Sequence, residues 1–558
     1  MLKIEEGRAV VPKEFLDGKT RQLATLSPML EGAKRWRGGD YTFEATQNNL
    51  DAYTTVFGGP RIKAAPSFEA YAEEQKPKKM RGMFAFKTEP WGGEEGHQNR
   101  AFKKARRKKA FAFFMEVGTG KTKVAIDLSS DEFQAGEIDI VMVWAPKGVH
   151  SQWTDPSEDE PSPLEVHCSV PFVAHSWPWK EKDRPKLIKG KLLVVSFNYD
   201  SLITEQGFSE MERIMKMGRV FIIADESQRL KNPGAKRSKQ AAILAPLAVK
   251  RLILTGTPLA KSLVDVWAQF KWLDPNIVGD KYLTTFRSKY CIMGGWEGRQ
   301  VVGHKNVDQF LKIIDPYVFR ATQDELNLPA SVYAPYQFEL SGIQRKHYDA
   351  LRKDFITKFE DGTEVTVANA ATMLLRLQQI ACGYLAHEGR IEEIEDARFP
   401  ALQSILEQRE GKMVIWCRFT RDIERICDAY GGVAVPYYGG NVNERDDAKR
   451  RFLHTPGVRY FVGNPQAGGT GLDGLQKVSK TVIYYSNSFS SLDRWQSEGR
   501  NRRIGMGDES CTYIDLIARK TIDQRLISVL RKKKTLSDQV MDVTTSMTIE
   551  ELRSMIAA

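Results

Sequence analysis

The residues Gly118-Thr119-Gly120-Lys121-Thr122 follow the apolar run Phe111–Met115 and precede apolar residues at helical spacing. Two glycines let the backbone turn tightly with its N–H groups inward, and a helix starting near Lys121 adds a positive N-terminal dipole. That pattern is a phosphate cradle. Gly118, Thr119 and Gly120 supply backbone donors, Lys121 can reach the β and γ phosphates, and the Thr122 hydroxyl can ligand Mg²⁺. The strict form G-x-x-x-x-G-K-[ST] is not met, because Met115 stands at its first glycine. A second stretch, "RVFIIADESQRLKNP" at 219–233, ends an apolar strand in Asp225-Glu226. An acidic pair at a strand end downstream of such a cradle has a defined job. The first carboxylate holds Mg²⁺ through water, and the second orients and deprotonates the attacking water.

These residues need strands to carry them, and the sequence supplies two series. Between about 90 and 275 the runs "IDIVMVWAP", "KLLVVSF", "RVFIIADE" and "RLILTGTP" end in small or polar residues. Buried parallel strands read this way, with function at their C-terminal ends. From about 276 to 395 the pattern turns mostly helical. A second series follows: "KMVIWCRF", "VAVPYY", "VRYFVGNP", "KTVIYYS" and "TYIDLIA". The expected architecture is α/β: lobe one over 86–275, a helical insertion over 276–395, and lobe two over 396–558 with a terminal helix. A small α+β domain over 1–85 precedes them, joined by the charged link "EEQKPKKMRG".

Composition bounds the partners. The chain has 558 residues, 42% hydrophobic and 10% aromatic, enough for several packed cores. A net charge of +11 suits a polyanion, most simply nucleic acid. The six cysteines contain no C-x-x-C, so neither a zinc site nor a disulfide framework is expected, and a reducing cytosol fits. The start "MLKIEEGRAVVPKEF" lacks the apolar core of a signal peptide, and no run approaches membrane-spanning length.

From Gln98 onward the motifs resemble superfamily 2 helicases and translocases of the SWI/SNF-like group, which use the shorter x-x-G-x-G-K-T cradle. "GHQ" at 96–98 matches that group's adenine-reading glutamine, Gln98. "VWAPKGVHSQW" at 143–153 is similar to its first DNA-contact motif, and "VVSFNYDSL" at 194–202 to the next. "DESQ" replaces the usual DEAH or DEGH, so Gln228 stands where histidine couples ATP to the partner lobe. "LTGTPLAKSLVDVWAQFKWLDP" at 254–275 is close to the group's L-T-G-T-P stretch, with Lys261 and Asp265 departing from its Asn and Glu. "LSGIQRKHYDAL" and "LLRLQQIACGYL" echo its inter-lobe segments.

In lobe two, "YYGGNVNERDDAKRRF" at 437–452 resembles a further motif of the group. "NPQAGGTGLDGLQ" at 464–476 resembles A-G-G-x-G-L-N-L, with Asp473 in place of Asn. "RWQSEGRNRRIG" at 494–505 matches Q-A-x-x-R-x-x-R-I-G, which places Gln496, Arg500 and Arg503.

The resemblance implies two RecA-like lobes with ATP between them, Mg²⁺ as cofactor, and Arg500 and Arg503 crossing the cleft as arginine fingers. It puts Lys147, Trp153, Ser196, Gly469 and Thr470 against DNA. "KKARRKK" at 103–109 is either a solvated face or a further nucleic-acid contact. Residues 25–58, with a Gly-Ala-x-Arg-Trp core, are similar to the small HARP domain ahead of annealing-helicase motors. Trp36 there is either a stacking platform or the domain's core anchor.

The implied function is ATP-driven remodelling of double-stranded, branched or forked DNA by a cytoplasmic, DNA-associated monomer, with no membrane partner. A compact build suits a bacterial or viral source. The rivals are the motor subunit of a restriction or defence complex, an RNA helicase, and a non-catalytic scaffold. Intact Lys121, Asp225, Glu226 and Arg503 weigh against the scaffold.

Overall fold

The computed structural model describes residues 84–147, 149–156, 161–256, 262–280, 282–294, 300–360, 367–387, 390–468 and 472–535, with four strands nearer the N-terminus. Those strands, Lys3–Glu5, Arg8–Val11, Tyr41–Glu44 and Lys34–Arg35, pair antiparallel in that order. They belong to a compact unit of residues 1–80. Trp36, Gly469 and Thr470 lie outside the described residues, as does most of the HARP-like stretch. Residues 81–558 form the second unit and hold everything that follows.

Lobe one is a seven-stranded sheet, parallel throughout. Its order is Val318–Ala321, Ala110–Met115, Lys250–Thr255, Val220–Asp225, Ile140–Ala145, Leu192–Asn198 and Phe172–Ser176. Its central strands are apolar on both faces because both faces are covered. Phe111, Phe113 and Met115 pack beside Val124, Ala125 and Leu128 of the helix Lys121–Gln134. The alternate residues Ala112 and Phe114 face the other way, into a cluster with Trp267 and Phe270 of the helix Leu263–Leu273. The two-residue period of the strand thus divides one run between two cores.

Lobe two is a second all-parallel sheet, of six strands: Val332–Phe338, Thr512–Ala518, Thr481–Tyr484, Met413–Trp416, Tyr460–Gly463 and Ala434–Tyr437. The α/β architecture of two parallel-sheet lobes is therefore present. The stretch 276–395 is mostly helical, with Gly342–Glu360 and Val367–Ala381 packed with Ile522–Thr535. It also serves both sheets. Val318–Ala321 closes sheet one beside the cradle strand, so lobe one extends past the expected boundary at 275. Val332–Phe338 opens sheet two, and its Pro335 is tolerated because the strand lies at an edge. All six cysteines are free thiols.

A buried polar knot ties the helices to sheet two. Arg398 is fully buried, donates to the carbonyls of Ala381, Tyr485 and Leu516, and pairs with Asp523. Near it, burial pushes the Asp422 carboxyl up to about 7, against the pull of Arg425 and Arg398. Between roughly pH 4 and 7 the folded chain therefore keeps a proton that the unfolded chain has released, and stability falls as pH rises through that window. Asp422→Asn is expected to flatten this slope. Between pH 5 and 8 its unfolding free energy from urea titration should fall less than the parent's, by on the order of 2 kcal/mol. Parallel slopes in the two proteins would exclude Asp422 as the source.

Candidate nucleotide site between the lobes

The strands of sheet one all present their C-terminal ends at one edge, and the chemistry gathers there. The cradle strand Ala110–Met115 ends in a loop whose Gly118 and Gly120 have φ of 84° and 89°. Both glycines are required by close approach as well as by backbone. A Cβ on Gly118 would fall 2.7 Å from Cβ of Arg503, and one on Gly120 would fall 2.2 Å from Nε2 of Gln98. The loop is thus pressed between the Gln98 helix His97–Ala105 and a segment of lobe two.

Gln98 holds the loop directly. Its Nε2 donates to the Thr119 carbonyl at 3.2 Å, and its Oε1 accepts from the Trp91 backbone N–H at 2.9 Å. His97 Nε2 lies 2.7 Å from the same Thr119 carbonyl. Thr119 is fully buried, its hydroxyl donating to the Glu116 carbonyl. Lys121 folds back so that Nζ donates to the carbonyls of Met115, at 2.8 Å, and Glu116, at 3.2 Å. Burial lowers the Lys121 pKa. The nearby Glu226 and Asp225 oppose that shift, and Arg500 and Arg503 add to it. Two carboxylates from one lobe and two guanidinium groups from the other therefore act electrostatically on one lysine. Thr122, half-buried, begins the helix beside it.

The strand Val220–Asp225 delivers the acids. Asp225 Oδ1 accepts from the Glu226 backbone N–H at 3.0 Å, and Oδ2 accepts from the Trp153 indole N–H at 3.1 Å. Burial and the adjacent Glu226 charge raise the Asp225 pKa, opposed by Lys121. A buried Asp225 and a half-buried Glu226 side by side fit a divalent cation, which would relieve that repulsion. Glu226 sits at φ 51°, a left-handed conformation uncommon for a residue other than glycine. Strain of this kind clusters at functional sites.

Gln228 bridges two motifs. Its Nε2 donates to Glu226 Oε2 at 2.7 Å, and its Oε1 accepts from the Thr255 hydroxyl at 2.9 Å. The coupling it makes among the described residues is therefore within lobe one, to the end of strand Lys250–Thr255, rather than to the partner lobe.

From lobe two, the helix Ser491–Asn501 carries Gln496 and Arg500 one turn apart, both buried. Arg500 Nη1 donates to the Leu472 carbonyl at 3.1 Å. Burial lowers its pKa to about 10, with Arg503 adding to the fall and Asp473 and Glu226 resisting it. Arg503 pairs with Asp473 at 3.1 Å and remains 21% exposed at its side chain. Burial pushes the Asp473 carboxyl up, but Arg503 and the Gly474 N–H outweigh it and hold the pKa below the usual value. Asp473, where the resembling motif has asparagine, thus supplies the charge that holds Arg503.

The residues expected on a nucleic-acid surface divide. Lys147 is exposed at the C-terminal end of strand Ile140–Ala145. Trp153 is corrected. It is 3% exposed, packed in the core of lobe one, with its N–H on Asp225. Ser196 is corrected likewise. It is fully buried within strand Leu192–Asn198, 3.1 Å from the Thr154 hydroxyl. Its neighbour Tyr199 donates to the Asp225 carbonyl at 2.8 Å. These motifs support the acidic strand end from beneath. In the 103–109 run, Arg106 makes a two-bond pair with Asp131 of the cradle helix, and Lys104 donates to the Asp315 carbonyl.

Two parallel-sheet lobes with a P-loop on one and arginines from the other define the class of two-lobed P-loop motor proteins. The chain belongs to the SNF2-related family: residues 72–384, more than half its length, match the SNF2-related domain. It is 24% identical to an uncharacterized ATP-dependent helicase of Mycoplasma genitalium over 436 residues, covering 75% of this chain and 39% of that one. With the ISWI chromatin-remodeling complex ATPase CHR11 of Arabidopsis thaliana it shares 24% identity over 447 residues, covering 76% and 40%. The Sulfolobus solfataricus SWI2/SNF2 ATPase core, solved in complex with dsDNA, is 20% identical. That match covers 86% of this chain and 99% of that one, with a TM-score of 0.37. The chain spans about two fifths of the length of the two sequence relatives.

Proposed function

We propose that this protein hydrolyses ATP in the inter-lobe site and uses the cycle to move along double-stranded DNA, remodelling branched or forked duplexes. The observation that carries the ATPase reading is the meeting of Lys121, Asp225 and Glu226 with Arg500 and Arg503 around one P-loop. Backbone N–H groups of 118–120 and Lys121 would bind the phosphates, and Gln98 would define the base end. Thr122 and Asp225 would hold Mg²⁺, which neutralises phosphate charge when bound. Glu226 takes the proton of the attacking water, with Gln228 fixing its carboxylate, while the arginines stabilise charge that develops on the transferred phosphoryl group.

DNA as the track rests on family membership, a net charge of +11, and Lys147 exposed just past strand Ile140–Ala145. The likeness of residues 25–58 to a HARP domain supports branched substrates. The test compares ATPase activity on linear duplex, forked and single-stranded DNA and on RNA, for the full chain and for a form lacking residues 1–80. Forked DNA should stimulate the full chain most, and the shortened form should keep duplex stimulation while losing fork preference. Stimulation by RNA alone would favour an RNA helicase, and undiminished fork preference in the shortened form would remove the HARP-like reading.

Trp153→Phe separates support of the site from contact with the track. The ring stays apolar, while the N–H on Asp225 is lost. Turnover should fall about tenfold, as for a bond to a charged group, and DNA affinity should stay within about twofold. A loss of DNA affinity with normal turnover would return Trp153 to the DNA surface.

A further inference from the structure

The first residues of the inter-lobe connection, 322–331, hold a side chain that touches both halves of the site. Gln323 follows strand Val318–Ala321, the edge strand beside the cradle strand, and opens the short helix Gln323–Leu326. Its backbone N–H donates to Glu116 Oε2 at 2.7 Å. Its Nε2 donates to the Val117 carbonyl of the P-loop at 3.0 Å and to the Arg502 carbonyl at 3.2 Å. Its Oε1 accepts from Arg502 Nη1 at 3.1 Å.

A glutamine amide has two N–H donors, so each lobe takes one. Arg502 is the C-cap of the helix Ser491–Asn501, and its carbonyl is among those a helix end leaves without an internal partner. Arg503 is the next residue. The fit around Gln323 is close: a Cβ on Gly499, one turn back along the helix, would fall 2.9 Å from Cβ of Val117.

We infer that Gln323 is a positioning residue that locks the arginine-finger segment onto the P-loop when the lobes close. Both donated bonds can form together only when Val117 and Arg502 stand on either side of one carboxamide. Closure therefore sets where Arg503 lies relative to Gly118. Because the latch acts on a residue that works in the transition state, it affects turnover more than ground-state nucleotide binding. This inference rests on the ATPase reading above.

The test is steady-state ATPase kinetics of the full chain for the parent, Gln323→Ala and Gln323→Glu, with thermal midpoints for all three. Glu keeps the shape and an acceptor for Arg502 but has no donors for the two carbonyls. Both variants should lose roughly 10- to 100-fold in kcat, with KM for ATP within about threefold and the midpoint nearly unchanged. Parental kcat in either variant overturns the latch, as does a lowered midpoint with kcat intact, which marks a purely structural contact. If Gln323→Ala does not fold, the isosteric Gln323→Glu carries the test alone. A parent protein with no turnover overturns the ATPase reading and the latch with it. An active parent with active variants overturns the latch only.

Discussion

Glu226→Gln should still bind ATP and fail to turn it over. Glutamine keeps the size of the side chain and can still meet Gln228 after an amide flip, but it accepts no proton from water. The loss in kcat is expected at about 10²–10⁴-fold, the usual worth of a positioned general base. Nucleotide affinity should hold, because Lys121, the loop amides and Asp225 are untouched. Lys121→Ala should also lose turnover, but through weakened nucleotide binding. Its Nζ is poised on the carbonyls of Met115 and Glu116, and losing a charged donor costs about 1.5–3 kcal/mol, some 10- to 100-fold in affinity. Equilibrium binding of a fluorescent ATP analogue, measured beside turnover, separates the two. Near-parental turnover in either variant removes the assigned site.

Arg503→Ala is expected to lower turnover by about 10³–10⁵-fold while ATP affinity moves less than about threefold. The structure gives the reason for the split. Arg503 is held by Asp473 beside Gly118, so its guanidinium has a partner before any phosphate arrives. Its gain over that partner comes when charge builds on the phosphoryl oxygens. Arg500 is buried against the Leu472 carbonyl. If affinity and rate fall together in Arg503→Ala, Arg503 is a binding residue and the finger role passes to Arg500.

What the sequence disclosed about this site was local. The cradle, the acid pair and the arginine motif each lie within a dozen residues, on an apolar strand or at a helix end, so their chemistry is written in neighbouring letters. What it concealed depends on packing between distant segments. Trp153 and Ser196 sit in motifs read as DNA contacts, yet both point into lobe one, and nothing in their spacing tells a buried support from an exposed contact. The strands Val318–Ala321 and Val332–Phe338 carry little strand signal, because one has four residues with Arg320 among them and the other carries Pro335. Gln323 carried no sequence signal at all. The carbonyls it holds lie 206 and 179 residues away along the chain.

If inter-lobe ATP hydrolysis drives movement on duplex DNA, duplex must stimulate hydrolysis. The most direct test is the steady-state ATPase rate of the full chain, with and without long linear duplex DNA, at low salt where phosphate contacts are strongest. A rise of at least about tenfold with duplex is expected, falling steeply with added salt and absent in Lys121→Ala. A rate that duplex DNA leaves unchanged, in a protein that still hydrolyses ATP, would contradict it.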